Sequence, residues 1–282
     1  MELAALTSRA KRCSFGSLRG ALDAAGLFDG PRAAQLDGYV LQVRAEIEDR
    51  RRSAPSSYPF DVVGNHLSSR SLPWQNFSTY LFCLCLSYFG PQGAAVQGHR
   101  PERIFEALSV VVASQFVAGK GVRFGAPRHP SELSASFQKA VTELCETYLH
   151  EGVSYSGRSR VWQGDEGVDL SAWREHPDGR SGKIVLFGAC AAGKRWVEKV
   201  YELQVRKWCE LWLERLLESP FVSAFFVPHR LPSNDDWGTV AIKAGIPFDR
   251  CRISNLVRRL PSDRKHGSGS KWAQEAIRLA RV

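Results

Sequence analysis

The chain has 282 residues, enough for about two domains, and is 44% hydrophobic and 24% charged. That composition belongs to a folded globular protein and excludes collagen-like, low-complexity and disordered architectures. Lys and Arg number 38 against 29 Asp and Glu, a formal charge of +9 that favours polyanionic partners or serves solubility alone.

In chain order, residues 1–60 read as helical and amphipathic. Leu36, Tyr39, Val40, Val43 and Ile47 recur at three- and four-residue spacings, and the charged run Glu46–Arg52 continues the helix until Pro55-Ser56-Ser57. Trp74–Phe89 and Arg103–Ala118 are apolar nearly all round, a pattern expected of centrally packed helices. Ser78–Phe89 falls short of the roughly 20 residues of a bilayer span. No apolar segment follows Arg9, Lys11 and Arg12 to make a secretory signal. The expectation is a cytoplasmic protein without a membrane partner. The seven cysteines, at 13, 83, 85, 145, 190, 209 and 251, form no disulfide-like pattern. Cys83 and Cys85 lack the two-residue gap of a zinc knuckle and read as small buried residues. Gly119–Pro130 reads as a connection, which sets the expected division: a mainly helical N-terminal domain over 1–125 and a second domain over 126–282.

Beyond Pro130 the pattern becomes α/β. Ser131 or Ser134 caps a helix running to about His150, and Val168–Trp173 reads as a strand entering the turn His176-Pro-Asp-Gly-Arg180. Lys183–Cys190 reads as a strand buried on both faces, followed by one long helix from Arg195 to Glu218 and a further strand at Phe221–Pro228. A short strand or helix start is expected at Phe248–Ile253. From Arg252 onward eight basic residues face only Asp263 and Glu275, so the tail carries about +6 of the charge.

Gly188-Ala-Cys-Ala-Ala-Gly193-Lys194 has the spacing of a phosphate-binding loop between a strand and a helix. The hydroxyl that would hold magnesium is replaced by Arg195, and no Asp ends the following strand. An NTPase is therefore a lesser alternative. No Gly-x-Ser-x-Gly elbow stands between a strand and a helix, which argues against a serine hydrolase. Gly164-Asp-Glu-Gly-Val-Asp169 places Asp165 and Asp169 four apart with Gly167 between them, and Asp169 at the head of an apolar strand. A carboxylate there calls for a cation or a hydrogen-bonded turn; a solvated acidic loop is the plainer reading.

The succession over residues 131–255 of a helix, Gly-Asp-x-Gly-Val-Asp, a hairpin, a buried strand and a basic helix resembles the PD-(D/E)xK nuclease superfamily, including Mrr-like restriction endonucleases. The resemblance implies a restriction-endonuclease-like core, a mixed sheet flanked by helices, preceded by the helical N-terminal domain. It implies a DNA endonuclease that uses Mg2+ or Mn2+ to activate water and shield phosphate charge. Asp169 takes the place of the first Asp and principal metal ligand, with Asp165 and either Glu143 or Glu146 on the leading helix assisting. The expected Gln or Glu falls at Ala189 and the expected Lys at Ala191, so both side chains are missing. In a Gln-x-Ala-x-Gly-Lys form, Lys194 takes the Lys role and Ala189 is the one lost position. Three explanations stand: a naturally weakened or inactive nuclease, a ligand supplied by Asp165 or Glu166, or a chain deliberately disabled at 189. Arg195, Lys199 and Lys207 on the helix and Arg258, Arg259 and Lys265 in the tail are the expected DNA contacts; a solvated basic face is the alternative for them. Such nucleases serve bacterial restriction or anti-phage defence, with the N-terminal domain recognising a partner subunit or signal. The alternative is a non-catalytic nucleic-acid-binding or assembly subunit on a degenerate nuclease scaffold.

Overall fold

The structure, a computed structural model, describes residues 1–26, 32–71, 73–92, 98–129, 131–157, 164, 166–231, 234–261 and 268–280. Asp165 and Lys265 lie outside the described residues. The chain opens with α1 (Glu2–Thr7), β1 (Arg12–Ser14), α2 (Phe15–Ala24), α3 (Arg32–Ser53), β2 (Phe60–Val63), β3 (His66–Ser69) and α4 (Ser78–Phe89). Next come α5 (Pro101–Phe116), β4 (Lys120–Arg123) and α6 (Phe137–Glu143), which a π-turn extends over Leu144–Tyr148. Then follow β5 (Leu170–Trp173), β6 (Val185–Cys190), α7 (Trp196–Lys199), α8 (Val205–Trp212), β7 (Phe221–Phe226), α9 (Asn234–Ala244) and β8 (Ile246–Phe248). The last elements are α10 (Arg250–Leu256) and α11 (Gly269–Leu279).

These elements form two compact units, residues 1–99 with 250–282, and residues 100–249. The division differs from the one expected at 125/126. Gly119–Pro130 is not a linker, because Lys120–Arg123 pairs antiparallel with β5 as an edge strand. The basic tail belongs with the N-terminal residues, not with the 126–249 segment. The first unit is also less purely helical than expected, since β1, β3 and β2 make an antiparallel sheet in that order.

In the first unit the apolar sequence of α4 explains its place. Every residue from Ser78 to Leu86 is buried, and α10 and α11 pack against this helix, with Phe82 edge-on to Trp272 at 5.7 Å. Glu2 is buried with Arg50 at 2.9 Å and Arg250 at 3.4 Å, and the Tyr80 hydroxyl donates to it at 2.8 Å. These contacts satisfy a charge that burial alone would disfavour.

The second unit is an α/β structure on a five-stranded mixed sheet, β4-β5-β6-β7-β8. β4, β5 and β6 are antiparallel, whereas β6, β7 and β8 run parallel. Alternation divides the side chains between faces. Val185, Phe187 and Ala189 of β6 join Val122, Phe124 and Trp173 in a core with α6 and α8, where Phe137 meets Trp212 at 5.0 Å. Leu186, Gly188 and Cys190 face the other way. On that side α5 lies over β4, β5 and β6, and Phe116 meets Phe248 at 5.1 Å.

The single helix expected over Arg195–Glu218 is instead α7 and α8, separated at 200–204, with 213–220 non-helical. A straight helix of that length would extend about 36 Å. The six-residue strand beside it covers only about 20 Å, so the connection to parallel β7 must fold back earlier. Val200 and Leu203 are buried at the break.

Candidate functional site

Asp169 sits at the head of β5, where the sheet is irregular. Its carbonyl oxygen accepts from both Phe124 N, at 2.7 Å, and Gly125 N, at 2.9 Å, while its own N–H donates to Gly188 O at 2.9 Å. Gly167, with φ +86, makes the preceding bend in the left-handed region that glycine adopts without strain. The carboxylate reaches past Ala189 to accept the backbone N–H of Cys190 at 2.6 Å. Its other oxygen approaches Gly125, where a side-chain carbon would lie 3.1 Å from Asp169 Oδ1 and also 3.1 Å from Glu106 Oε2. Glycine there leaves room for two carboxylates to converge.

Glu106 was not among the expected ligands. It comes from α5, where it is the acid in an otherwise uncharged stretch, Ile104–Val112. That isolated acid is the signal that could have found it. It is held by Arg103 at 2.8 Å and by the buried Arg123 at 3.1 Å, and Arg123 also bonds Glu132 at 3.2 Å. From β6 the side chain interacting with both acids is that of Cys190. Burial, then the charges of Asp169 and Glu106, push its thiol well above the ordinary range; Ser109 and Lys199 act in the opposite sense. The thiol is therefore protonated at neutral pH and is a poor ligand or nucleophile.

The other expected residues fall elsewhere. Glu143 accepts from Ser134 N at 2.8 Å and Ser134 Oγ at 2.5 Å, and Glu146 accepts from Ser154 Oγ at 2.5 Å. Each closes a local turn, and the carboxylate that flanks Gly125 together with Asp169 is Glu106. Ala189 buries its methyl in the hydrophobic cluster, as does Ala191. Lys194 is exposed in the turn before α7, and Lys199 is exposed on α7 itself. Arg195 and Lys199 are exposed but face Glu198 at 3.6 Å and Glu202 at 4.0 Å. Such pairs leave little net charge along α7. Lys207 is exposed on α8; Arg258 and Arg259 are exposed in the other unit, where Arg259 bonds Asn76 at 3.2 Å.

The phosphate-loop spacing does not make a phosphate loop. Gly188, Ala189 and Cys190 lie inside β6, and the N–H groups of Cys190 and Ala191 already donate to Asp169 and to Phe226 O. The helix that follows is only Trp196–Lys199.

Among the described residues the donors do not suit Mg2+, which needs one or two available carboxylates with water completing near-octahedral order. Glu106 is engaged by two guanidinium groups, Asp169 spends one oxygen on a backbone N–H, and β6 with the residue after it contributes a neutral thiol and two alanines. Among the described residues no group of three or more His, Cys, Asp or Glu is placed to hold a metal ion. No helix among the described residues is long and apolar enough to cross a membrane. No protein-family model, curated protein or solved structure matches the chain.

Proposed function

We propose that residues 100–249 form a nuclease-like domain that engages DNA without cutting it. The observation that carries this reading is the state of the acidic pair. Glu106 is neutralised by Arg103 and Arg123, and Ala189 in β6 and Ala191 just after it stand where a metal ligand and a lysine would be needed. A carboxylate locked between arginines supports a rigid scaffold more directly than a metal site. Residues 100–249 carry 19 Lys and Arg and 19 Asp and Glu, so the +9 belongs to the rest of the chain; within this domain the exposed Lys194 and Lys207 are what support contact with a polyanion. In a defence system such a domain would serve as a DNA-engaging subunit, with residues outside it meeting a protein partner.

A second reading, a Mg2+- or Mn2+-dependent endonuclease, is favoured by one observation: an oxygen of Asp169 and one of Glu106 both approach Gly125. One experiment separates the two. Supercoiled plasmid is incubated with the protein and Mg2+ or Mn2+, alongside Ala189→Gln, Cys190→Glu and Asp169→Ala, with folding checked by circular dichroism. The expected result is no nicking by any of them and DNA binding that weakens steeply with salt. Nicking by the unaltered protein that Asp169→Ala abolishes would establish the endonuclease. Nicking only after Ala189→Gln would identify a nuclease lacking a single ligand.

A further inference from the structure

The first unit contains a cleft of about 750 Å³ that plays no part in the site around Asp169. Its apolar wall includes Trp74 and Phe77 with Leu6, Leu81 and Ile277. Its basic side chains are Lys11, Arg70, Lys271 and Arg278, against the single acid Glu275. We propose that this cleft binds a phosphorylated nucleoside, with the base against Trp74 and the phosphates at the lysines.

Five features of the cleft support that ligand class. The volume lies within the range of small-molecule sites, which are mostly apolar with a few placed polar groups. An indole beside an apolar wall suits a flat heterocycle, because base–aromatic stacking tolerates any base. Four cations line the cleft, and with Arg70 paired to Asp61 and Arg278 to Glu275 the net positive charge is that of Lys11 and Lys271, which suits phosphate oxygens. The cations are also positioned before any ligand arrives. Lys11 has a left-handed backbone, φ +53, uncommon for a lysine, and its ammonium is tied to Leu6 O at 2.9 Å. Arg70 is held by both oxygens of Asp61 at 3.1 Å, and Arg278 by Glu275. Lys271 is exposed on α11. The Trp74 Nε1–H is buried with no hydrogen-bond partner, so a small shift of the indole toward a ligand acceptor would satisfy it.

The test is isothermal titration of the full chain with ATP, adenosine and inorganic tripolyphosphate as probes. ATP is expected to bind more tightly than either half. Lys271→Glu, at an exposed position that leaves folding intact, is expected to weaken ATP at least about tenfold, as is Trp74→Leu. Lys194→Ala, in the other unit, is expected to leave ATP affinity unchanged, whatever it does to DNA binding. Absence of ATP binding at about 1 mM would overturn the proposal. So would tripolyphosphate binding as tightly as ATP, ATP affinity indifferent to Lys271→Glu, or ATP binding lost with Lys194→Ala.

Discussion

A carboxylate buried between guanidinium groups responds to acid differently from one at the surface, and Glu2 is the clearest case. Burial by itself raises its pKa; the charges of Arg50 and Arg250 and the Tyr80 hydroxyl outweigh that and bring it from 4.5 to about 2. A depressed pKa stabilises the fold fully above the unfolded value, and the contribution is lost as pH falls from 4.5 toward 2. The amount at stake is on the order of 3 kcal/mol. Urea unfolding at pH 6 and pH 3 is expected to show a large loss for the unaltered chain. Glu2→Gln is expected to be less stable at pH 6 but to lose less on acidification. Lys183 makes the opposite case. It is 1% exposed and its Nζ has no hydrogen-bond partner. Lys183→Met keeps the volume and removes an unsatisfied polar group, so the melting temperature is expected to rise, by an amount equivalent to about 1 kcal/mol.

At the scale of elements, the return from α8 to β7 depends on one carboxylate. Glu151, 2% exposed, accepts from Glu218 N at 2.7 Å, Ser219 N at 3.2 Å and the Ser219 hydroxyl. Ser219 Oγ in turn accepts from the backbone of Gly182 and Lys183, at the entry to β6. Glu151→Ala strips several buried donors at once and is expected to cost about 2–3 kcal/mol in chemical denaturation. The aromatic packing of α6 on α8 sets the comparison: Trp212→Ala is expected to cost about 3–5 kcal/mol. The same elements show what was legible in the sequence. β5, β6 and β7 were, because each is a short apolar run between turn residues, and so was Asp169 as an acid heading a strand. β4 was not: Lys120-Gly-Val-Arg123 has charged ends, and Arg123 is buried only because Glu106 and Glu132 lie against it. With β4 taken for a linker, Glu106 fell outside the expected domain and Glu143 stood in its place. The break between α7 and α8 was hidden for a similar reason. No Gly or Pro marks it; the limit comes from the short strand the connection must follow.

At the scale of the molecule, the first unit is assembled from two distant stretches of chain. Trp272, Ala273, Ala276 and Ile277 of α11 are buried, and α10 and α11 cover α4. A chain ending at residue 249 is expected to lose the cooperative transition of the first unit and to bind the dye ANS, because α4 loses its cover. The second unit, continuous over 100–249, is expected to keep its own transition. Differential scanning calorimetry of the truncated and full chains, with limited proteolysis to locate the folded part, checks both expectations.

That interrupted unit also has a consequence in time. During synthesis α4 emerges some 180 residues before α11, and at translation rates of about 5–20 residues per second the delay is roughly ten to forty seconds. Residues 100–249 can close their sheet within that interval, since every strand they need is already made. The apolar helix Ser78–Phe89 must wait uncovered until the final helix leaves the ribosome. A slowed or stalled ribosome near residue 260 would lengthen that exposure and is expected to increase aggregation.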